Sequence, residues 1–405
     1  MYSLLRDIRV LECTASVAGA YCGRLLADAG TDVVKVERPL RGDASRHTGP
    51  FPKDSPNLET SLLFQYVNAG KRGVTLDTAT LQGAALLKRL IPSSDVVIEE
   101  RPGGCVEQAG LGVEDVRQAN PRAVVLTLSP FGQHGSKRGW KGHSLNVEHA
   151  SGMGWLTPTG LARRMFPNRQ PLKMGGHISE YFVAFTAATG VIVGLLARMA
   201  SGRGQHIDLS SQDALVSLER GPISIYANQG ALETPLTRDF PYGGCYPCAD
   251  GYVEILAHED HHWAGLVAMV ERPEWSQDPA FAQRPTRVTR AAEINNAIEA
   301  WTRQHSRQEI YQRGVRHGVP VGIFSSPTEV VASEHERVRG FFRPLVHPFI
   351  GKTAMFPASP FVTPPAPEQG NLRAPMLGEH NEQVYCGALG LSRQDLVALR
   401  EARVI

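Results

Sequence analysis

The chain is poor in cysteine, in net charge and in uninterrupted apolar sequence, and each shortage removes a class of function. Six cysteines scattered through 405 residues are too few for a disulfide scaffold. The 42 basic residues nearly cancel the 40 acidic ones, whereas a nucleic-acid surface shows itself as a clustered basic excess. No run of about 18 wholly apolar residues occurs, so the sequence predicts no membrane span. The start, MYSLLRDIRVLEC, carries Arg6, Asp7 and Arg9 where a signal peptide needs apolar residues. The expectation is a cytoplasmic globular enzyme of two or three domains.

Two phosphate-binding signatures are also missing. The turn after the first predicted strand reads Thr14-Ala15-Ser16-Val17-Ala18-Gly19, not G-x-G-x-x-G, and no Walker loop is present. A nicotinamide enzyme of the Rossmann type is therefore disfavoured. Two metal- or thiol-like patterns fall on local grounds. Cys245 and Cys248 form a C-x-x-C, but a turn and a strand follow it where a redox pair needs a helix N-terminus. Residues 258–262 fit H-E-x-x-H, but His258 ends a predicted strand and Glu259-Asp260 resemble a helix N-cap. Its histidines would not share a helix face, so no metal site is expected.

What is present alternates. Short apolar strands at 8–13, 32–37, 74–76, 95–99 and 123–128 are separated by helical patterns at 18–29, 81–90 and 113–118. That pattern predicts an α/β fold with a parallel sheet and right-handed crossovers. Ligands in such sheets bind at the carboxyl ends of the strands. Residues 178–200 are apolar on nearly every face, as in a helix buried between layers or subunits. The HIDLS segment that follows reads as another strand. Residues 230–330 form a second, smaller α/β unit, with a strand at YVEILA and helices near 262–271 and 291–303. A Pro-rich tail ends in a helix at 392–401.

Several short motifs, in order, resemble the class III CoA-transferase family, which includes formyl-CoA and carnitine CoA-transferases and α-methylacyl-CoA racemases. They are LADAGTDVVKVERP (26–39), GDASR (42–46), NAGKRGVTLD (68–77), SDVVIEERPGG (94–104), the long match at 110–135, GRGQHIDLS (202–210), CADGYVEIL (248–256), HERVRGFF (335–342) and APMLGEHNEQV (374–384). The resemblance implies a large Rossmann-like domain from residues 1–225 and 331–405, a small α/β domain at 226–330, and an interlocked homodimer. It also implies acyl-CoA and a small carboxylic acid as substrates, with coenzyme A a substrate and no tightly bound cofactor, metal, membrane or nucleic acid.

By the same resemblance Ala15, Val17 and Ala18 lie in a CoA-contacting loop, and Arg38 and Lys71 match cations that hold the adenosine and phosphate portions. Gln108 stands where many transferases have Arg, and Glu100-Arg101 replaces a common Asn-aromatic pair, which rearranges the expected contacts. Counting back from Gly202 aligns Glu180 with the family's catalytic Asp, and Ala184 with its usual Gly. A carboxylate there attacks the thioester to give a mixed anhydride and then an enzyme-bound CoA thioester. Gly142-His143-Ser144-Leu145-Asn146 is similar to the racemase G-H-D-I-N, which makes His143 and Glu180 an alternative acid–base pair for α-proton exchange. A third alternative is a member that binds CoA esters without transferring them. Gly243-Gly244 matches a mobile glycine loop that shields the anhydride.

Overall fold

The computed structural model describes residues 5–157, 168, 171–235, 241–257, 259–350, 354–361 and 373–405. The chain divides into two compact units, Met1–Met153, Lys173–Arg220 and His335–Ile405 in the larger, Gly154–Leu172 and Gly221–Glu334 in the smaller.

The larger unit is built on a parallel six-stranded sheet. Its strands are β1 (Arg9–Cys13), β2 (Asp32–Glu37), β3 (Arg72–Thr75), β4 (Val96–Glu100), β5 (Val124–Ser129) and β6 (His206–Ser210), in the order β3-β2-β1-β4-β5-β6. The order reverses between β1 and β4, where Leu11 sits in register with Val34 on one side and Val97 on the other. The expected parallel α/β architecture is present.

Side chains alternate along each strand and feed two cores. Val10, Val96, Ile98, Val124 and Leu126 pack beneath helices α1 (Val17–Asp28) and, later in the chain, Ile178–Ser201. Leu11, Val97 and Val125 point the other way. They meet Leu86, Leu87 and Leu90 of α2 (Leu81–Leu90), and Val384, Tyr385, Leu396, Val404 and Ile405 from the far end of the chain. Gly73 and His380 tie that end to β3 by a reciprocal pair of hydrogen bonds.

The 24-residue helix Ile178–Ser201 is the one expected to be apolar on nearly every face. By length and composition it could cross a membrane. Its uncharged stretch, bounded by Glu180 and Arg198, stops just short of the ~18 residues used as the sequence criterion. One side, with Val183, Ala187 and Val191, is buried on the sheet, while Phe185, Val193, Leu196 and Met199 are exposed. Gly194 permits the close approach, since a Cβ there would stand 2.8 Å from Val124.

The smaller unit holds an antiparallel sheet of Gly244–Cys248, Gly251–Ile255 and Val321–Ile323. Its core includes Tyr246, Val253, Trp263, Trp275, Ile294 and Ile310. The C-x-x-C lies within a strand, which the sequence reading missed; residues three apart on a strand face opposite sides, and neither cysteine is in a disulfide. Glu259 is the N-cap of helix Asp260–Met269; His258 lies outside the described residues. Gly243 and Gly244 have φ of 89° and 106°, conformations that favour glycine. The Gly243 N–H donates to Tyr246 Oη and Asn295 Oδ1.

Candidate active site

Two adjoining cavities open in the larger unit at the carboxyl ends of β1, β2, β4 and β5, on either side of the point where the strand order reverses. One measures about 530 Å³ and the other about 490 Å³, and Ala15, Ala44, Glu100 and Pro102 line both. This is where a parallel sheet offers unpaired strand ends and helix N-termini to a ligand.

The loop after β1 forms the shared wall. Ser16 caps α1 by accepting from the Gly19 N–H at 3.1 Å. Glu100, at the end of β4, accepts from the Ala15 N–H at 2.9 Å, the Ser16 N–H at 3.0 Å and the Ser16 hydroxyl. Burial raises the Glu100 pKa, and the donors from Ser16 and Ala15 pull against it. The positive end of α1 is therefore already met by a carboxylate of the chain itself. The Arg101 guanidinium is engaged by the protein, donating to Glu99 Oε1 at 3.0 Å and to the Leu111 carbonyl at 3.1 Å.

The larger cavity brings together Ala15, Val17, Ala18, Glu100, Arg101, His143 and Glu180. His143 is the N-cap of the short helix Ser144–Ala150. Glu180 is in the first turn of Ile178–Ser201, where the helix dipole favours negative charge. Both of its oxygens are held: Oε1 lies 3.1 Å from His177 Nδ1, and Oε2 accepts from the Ser179 hydroxyl at 3.1 Å. Buried Glu148 fixes the preceding segment by accepting from the Met174 N–H at 2.5 Å. An aromatic group of Tyr21, Tyr66 and Tyr181 packs the helix start against α1, with the Tyr21 and Tyr66 hydroxyls 3.2 Å apart.

The smaller cavity holds Arg38 and Gln108 together with Arg41, His47, Asp77 and Thr78. Neither Arg38 nor Arg41 forms an ion pair with a described residue. Gln108 donates to the Gly103 carbonyl at 2.7 Å.

Lys71 lines neither cavity. It precedes β3, and its buried ammonium reaches Glu12 Oε2 at 2.6 Å, the Ala20 carbonyl at 2.6 Å and Asn68 Oδ1 at 2.8 Å. Those three acceptors match its three hydrogens. Burial drives its pKa down to about 8 despite the Glu12 carboxylate. Lys35 shares Glu12 through Oε1 at 2.8 Å and pairs with Asp43 Oδ2 at 2.7 Å. For Lys35 burial also opposes the charge, but Asp43 and Glu12 outweigh it and raise the pKa. Gly23 of α1 lies directly over this network, since a Cβ there would stand 2.0 Å from Glu12 Oε2. Arg46 grips Glu37 at 2.6 Å and Glu59 at 2.8 Å and stacks 3.7 Å from the Phe64 ring. The network pins the 38–47 segment from which Arg38 and Arg41 project.

Sequence reasoning missed His177, Ser179 and Arg41. His177 and Glu180 have the N-cap to N3 spacing of a capping box, a signal that could have been read. Among the described residues no cluster of His, Cys, Asp and Glu has the geometry of a metal site.

Comparison with known proteins agrees with this architecture. A family model described as CoA-transferase family III matches residues 5–381. Succinyl-CoA–D-citramalate CoA-transferase of Chloroflexus aurantiacus is 32% identical, over 99% of this chain and 98% of that one. Formyl-CoA:oxalate CoA-transferase of Streptomyces coelicolor is 31% identical, over 99% of each. A crystal structure of a CaiB/BaiF family protein from Brucella suis superposes with a TM-score of 0.81 at 26% identity, covering 96% of this chain and all of that one.

Proposed function

The chain belongs to CoA-transferase family III, and from that premise we propose that it moves CoA from an acyl-CoA thioester to a carboxylic acid through covalent intermediates on Glu180. The observation that carries this reading is the Glu180 carboxylate, fixed at both oxygens in the wall of the cavity at the sheet's reversal point.

The carboxylate attacks the thioester carbonyl, the C–S bond breaks, and CoA thiolate leaves a mixed anhydride. The thiolate attacks the glutamyl carbonyl of that anhydride and expels the donor acid, which leaves a glutamyl-CoA thioester. The acceptor carboxylate attacks the same glutamyl carbon and frees the thiolate. That thiolate takes the acceptor's acyl group and restores Glu180. Every step exchanges one acyl bond for another, so no net proton transfer is needed.

In this reading the acyl–pantetheine portion occupies the larger cavity beside Ala15, Val17 and Ala18. Arg38 and Arg41 receive the phosphates in the smaller one, as paired guanidinium–phosphate contacts suit. Gln108 and Glu100 border that path. Lys71 acts beneath it, holding Glu12 and hence the loop above. The exposed apolar side of Ile178–Ser201 supports a homodimer. Gly243-Gly244 keeps the glycine-favouring backbone of the expected shielding loop, but Gly244 opens a paired strand and the Gly243 N–H is held by Tyr246 and Asn295, so nothing in these contacts supports its mobility.

Glu180→Gln tests the assignment. Transfer is expected to fall by about 10³-fold or more, as for loss of a covalent nucleophile. Hydroxylamine should label Glu180 in wild type incubated with acyl-CoA and leave the variant unlabelled. Transfer retained by Glu180→Gln sinks the reading. Solvent deuterium appearing at the acyl α-carbon would instead move the chemistry to proton exchange by His143, which lines the same cavity.

A further inference from the structure

We infer that the His177 imidazole holds Oε1 of Glu180 as a permanent carbonyl oxygen, so that Oε2 alone forms and breaks bonds during transfer. The inference rests on the transfer reading given above and extends it to a residue and an atom.

An ionised carboxylate can only accept hydrogen bonds, so the His177 nitrogen facing Glu180 must carry the hydrogen. That nitrogen is Nδ1, 3.1 Å from Oε1. His177 occupies the N-cap position of Ile178–Ser201, yet its side chain makes no capping bond to the helix backbone. The ring is directed to Glu180 instead. Its backbone is fixed on both sides: the Tyr181 N–H donates to the His177 carbonyl at 3.0 Å, and Lys173 Nζ donates to the Gly176 carbonyl at 3.0 Å. The Tyr181 ring lies edge-on, 6.4 Å away between centroids.

The two oxygens of Glu180 differ in surroundings. Ser179, the partner of Oε2, lines the cavity together with Glu180, whereas His177 does not. Oε1 thus faces the His177 ring, and Oε2 faces the hydroxyl of a residue that lines the space where an acyl group fits. A rotatable hydroxyl can release Oε2 for attack, while the ring behind Oε1 stays put.

The consequence lies in the two middle steps, where the glutamyl carbon itself is attacked. When thiolate adds to the anhydride, negative charge collects on Oε1, the Cδ–Oε2 bond breaks, and Oε2 departs with the donor acid. When the acceptor carboxylate adds to the glutamyl thioester, charge again collects on Oε1, and the C–S bond breaks. One oxygen of the acceptor becomes the new Oε2. His177 Nδ1–H is already at hydrogen-bond distance from the atom that becomes the oxyanion, the arrangement that makes such donors effective.

Isotope bookkeeping tests this directly. Wild-type enzyme is cycled through many turnovers with acyl-CoA and acceptor acid labelled with oxygen-18 in the carboxylate, and the Glu180 peptide is weighed. One label at Glu180 is expected however long the reaction runs, because Oε1 never exchanges. Two labels in wild type overturn the inference while leaving the nucleophile assignment standing, and no label overturns the nucleophile assignment itself. In His177→Leu we expect a second label to appear and kcat to fall about 10²-fold, the usual cost of losing one such donor. KM for acyl-CoA should stay within about twofold, because the donor acts on enzyme atoms. His177→Asn, which offers an N–H near the Nδ1 position, should restore the single label and most of kcat. A single label and wild-type kcat in His177→Leu would show the imidazole to be a bystander.

Discussion

Arg38 and Lys71 carry the same charge in neighbouring motifs, and the fold puts them to opposite uses. Arg38 follows the carboxyl end of β2, where the sheet opens into a cavity, and it has no ion pair with a described residue. Lys71 precedes the amino end of β3 and is sealed beneath α1 among Glu12, Asn68 and the Ala20 carbonyl. The difference follows from strand polarity. In a parallel sheet the carboxyl ends are free to receive a ligand, and a cation entering from the other end meets the protein's own acids. Charge is available for recognition only where the interior has not already neutralised it.

Removing one cation from each region should separate stability from binding. The largest effect is expected for Lys35→Met, which leaves Glu12 and Asp43 buried without their shared partner. Breaking a buried pair in this way costs about 3–5 kcal/mol, read as a lower urea midpoint. Arg38→Ala, at an exposed position, should change stability by no more than about 0.5 kcal/mol. Its effect should appear in KM for acyl-CoA, raised about tenfold, near the low end for a hydrogen bond to a charged group. The increase should shrink with rising salt, as screening dictates. A binding defect in Lys35→Met without loss of stability, or the converse in Arg38→Ala, would erase the distinction.

The smallest effect concerns two histidines, His347 buried and His380 half-buried. His380 and His347 are pushed down, first by burial and then by neighbours that include Arg373. His380 Nδ1 accepts from the Gly73 N–H at 3.1 Å, and His347 Nδ1 from the Phe349 N–H at 3.2 Å. Protonation at that nitrogen would abolish the bond. A histidine depressed in the folded state leaves the unfolded chain holding more protons just below its ordinary value of about 6.5. Stability is therefore complete above that pH and is lost as pH falls through it. Melting temperatures at pH 7.5 and 5.5 should show the drop, about 1 kcal/mol or less per site, since a tenfold change in proton affinity is worth about 1.4 kcal/mol. His380→Asn, which keeps an acceptor for Gly73, should lessen it.

Much of the larger unit was legible in the sequence because its signals are local. Residues 32–37 and 81–90 carry an apolar strand and an amphipathic helix with clear ends, and both form with those bounds. The C-x-x-C was less legible, because its Tyr246 packs into a core that pulls the whole segment into a strand. Glu180 and His143 could be found by alignment with motifs, and the fold brings both to one cavity. The Glu12–Lys35–Lys71–Asp43 network could not, since its members are dispersed over 60 residues of chain and meet only after the sheet forms. Strand polarity alone would have argued against a ligand role for Lys71, a test that the motif match bypassed.

The sheet's second face has a bearing on how the chain is made. Leu11, Val97 and Val125 are covered in part by Val384, Tyr385, Leu396 and Ile405. β5 ends at Ser129 and the covering helix begins at Asn381. At about 5–20 residues per second, the ribosome needs roughly 10–50 s to bridge that gap. Five strands can leave the exit tunnel in order and still wait, with one side partly bare, for residues 381–405 to arrive. Nascent chains of this protein spend that interval as clients for whatever shields apolar surface in the cell.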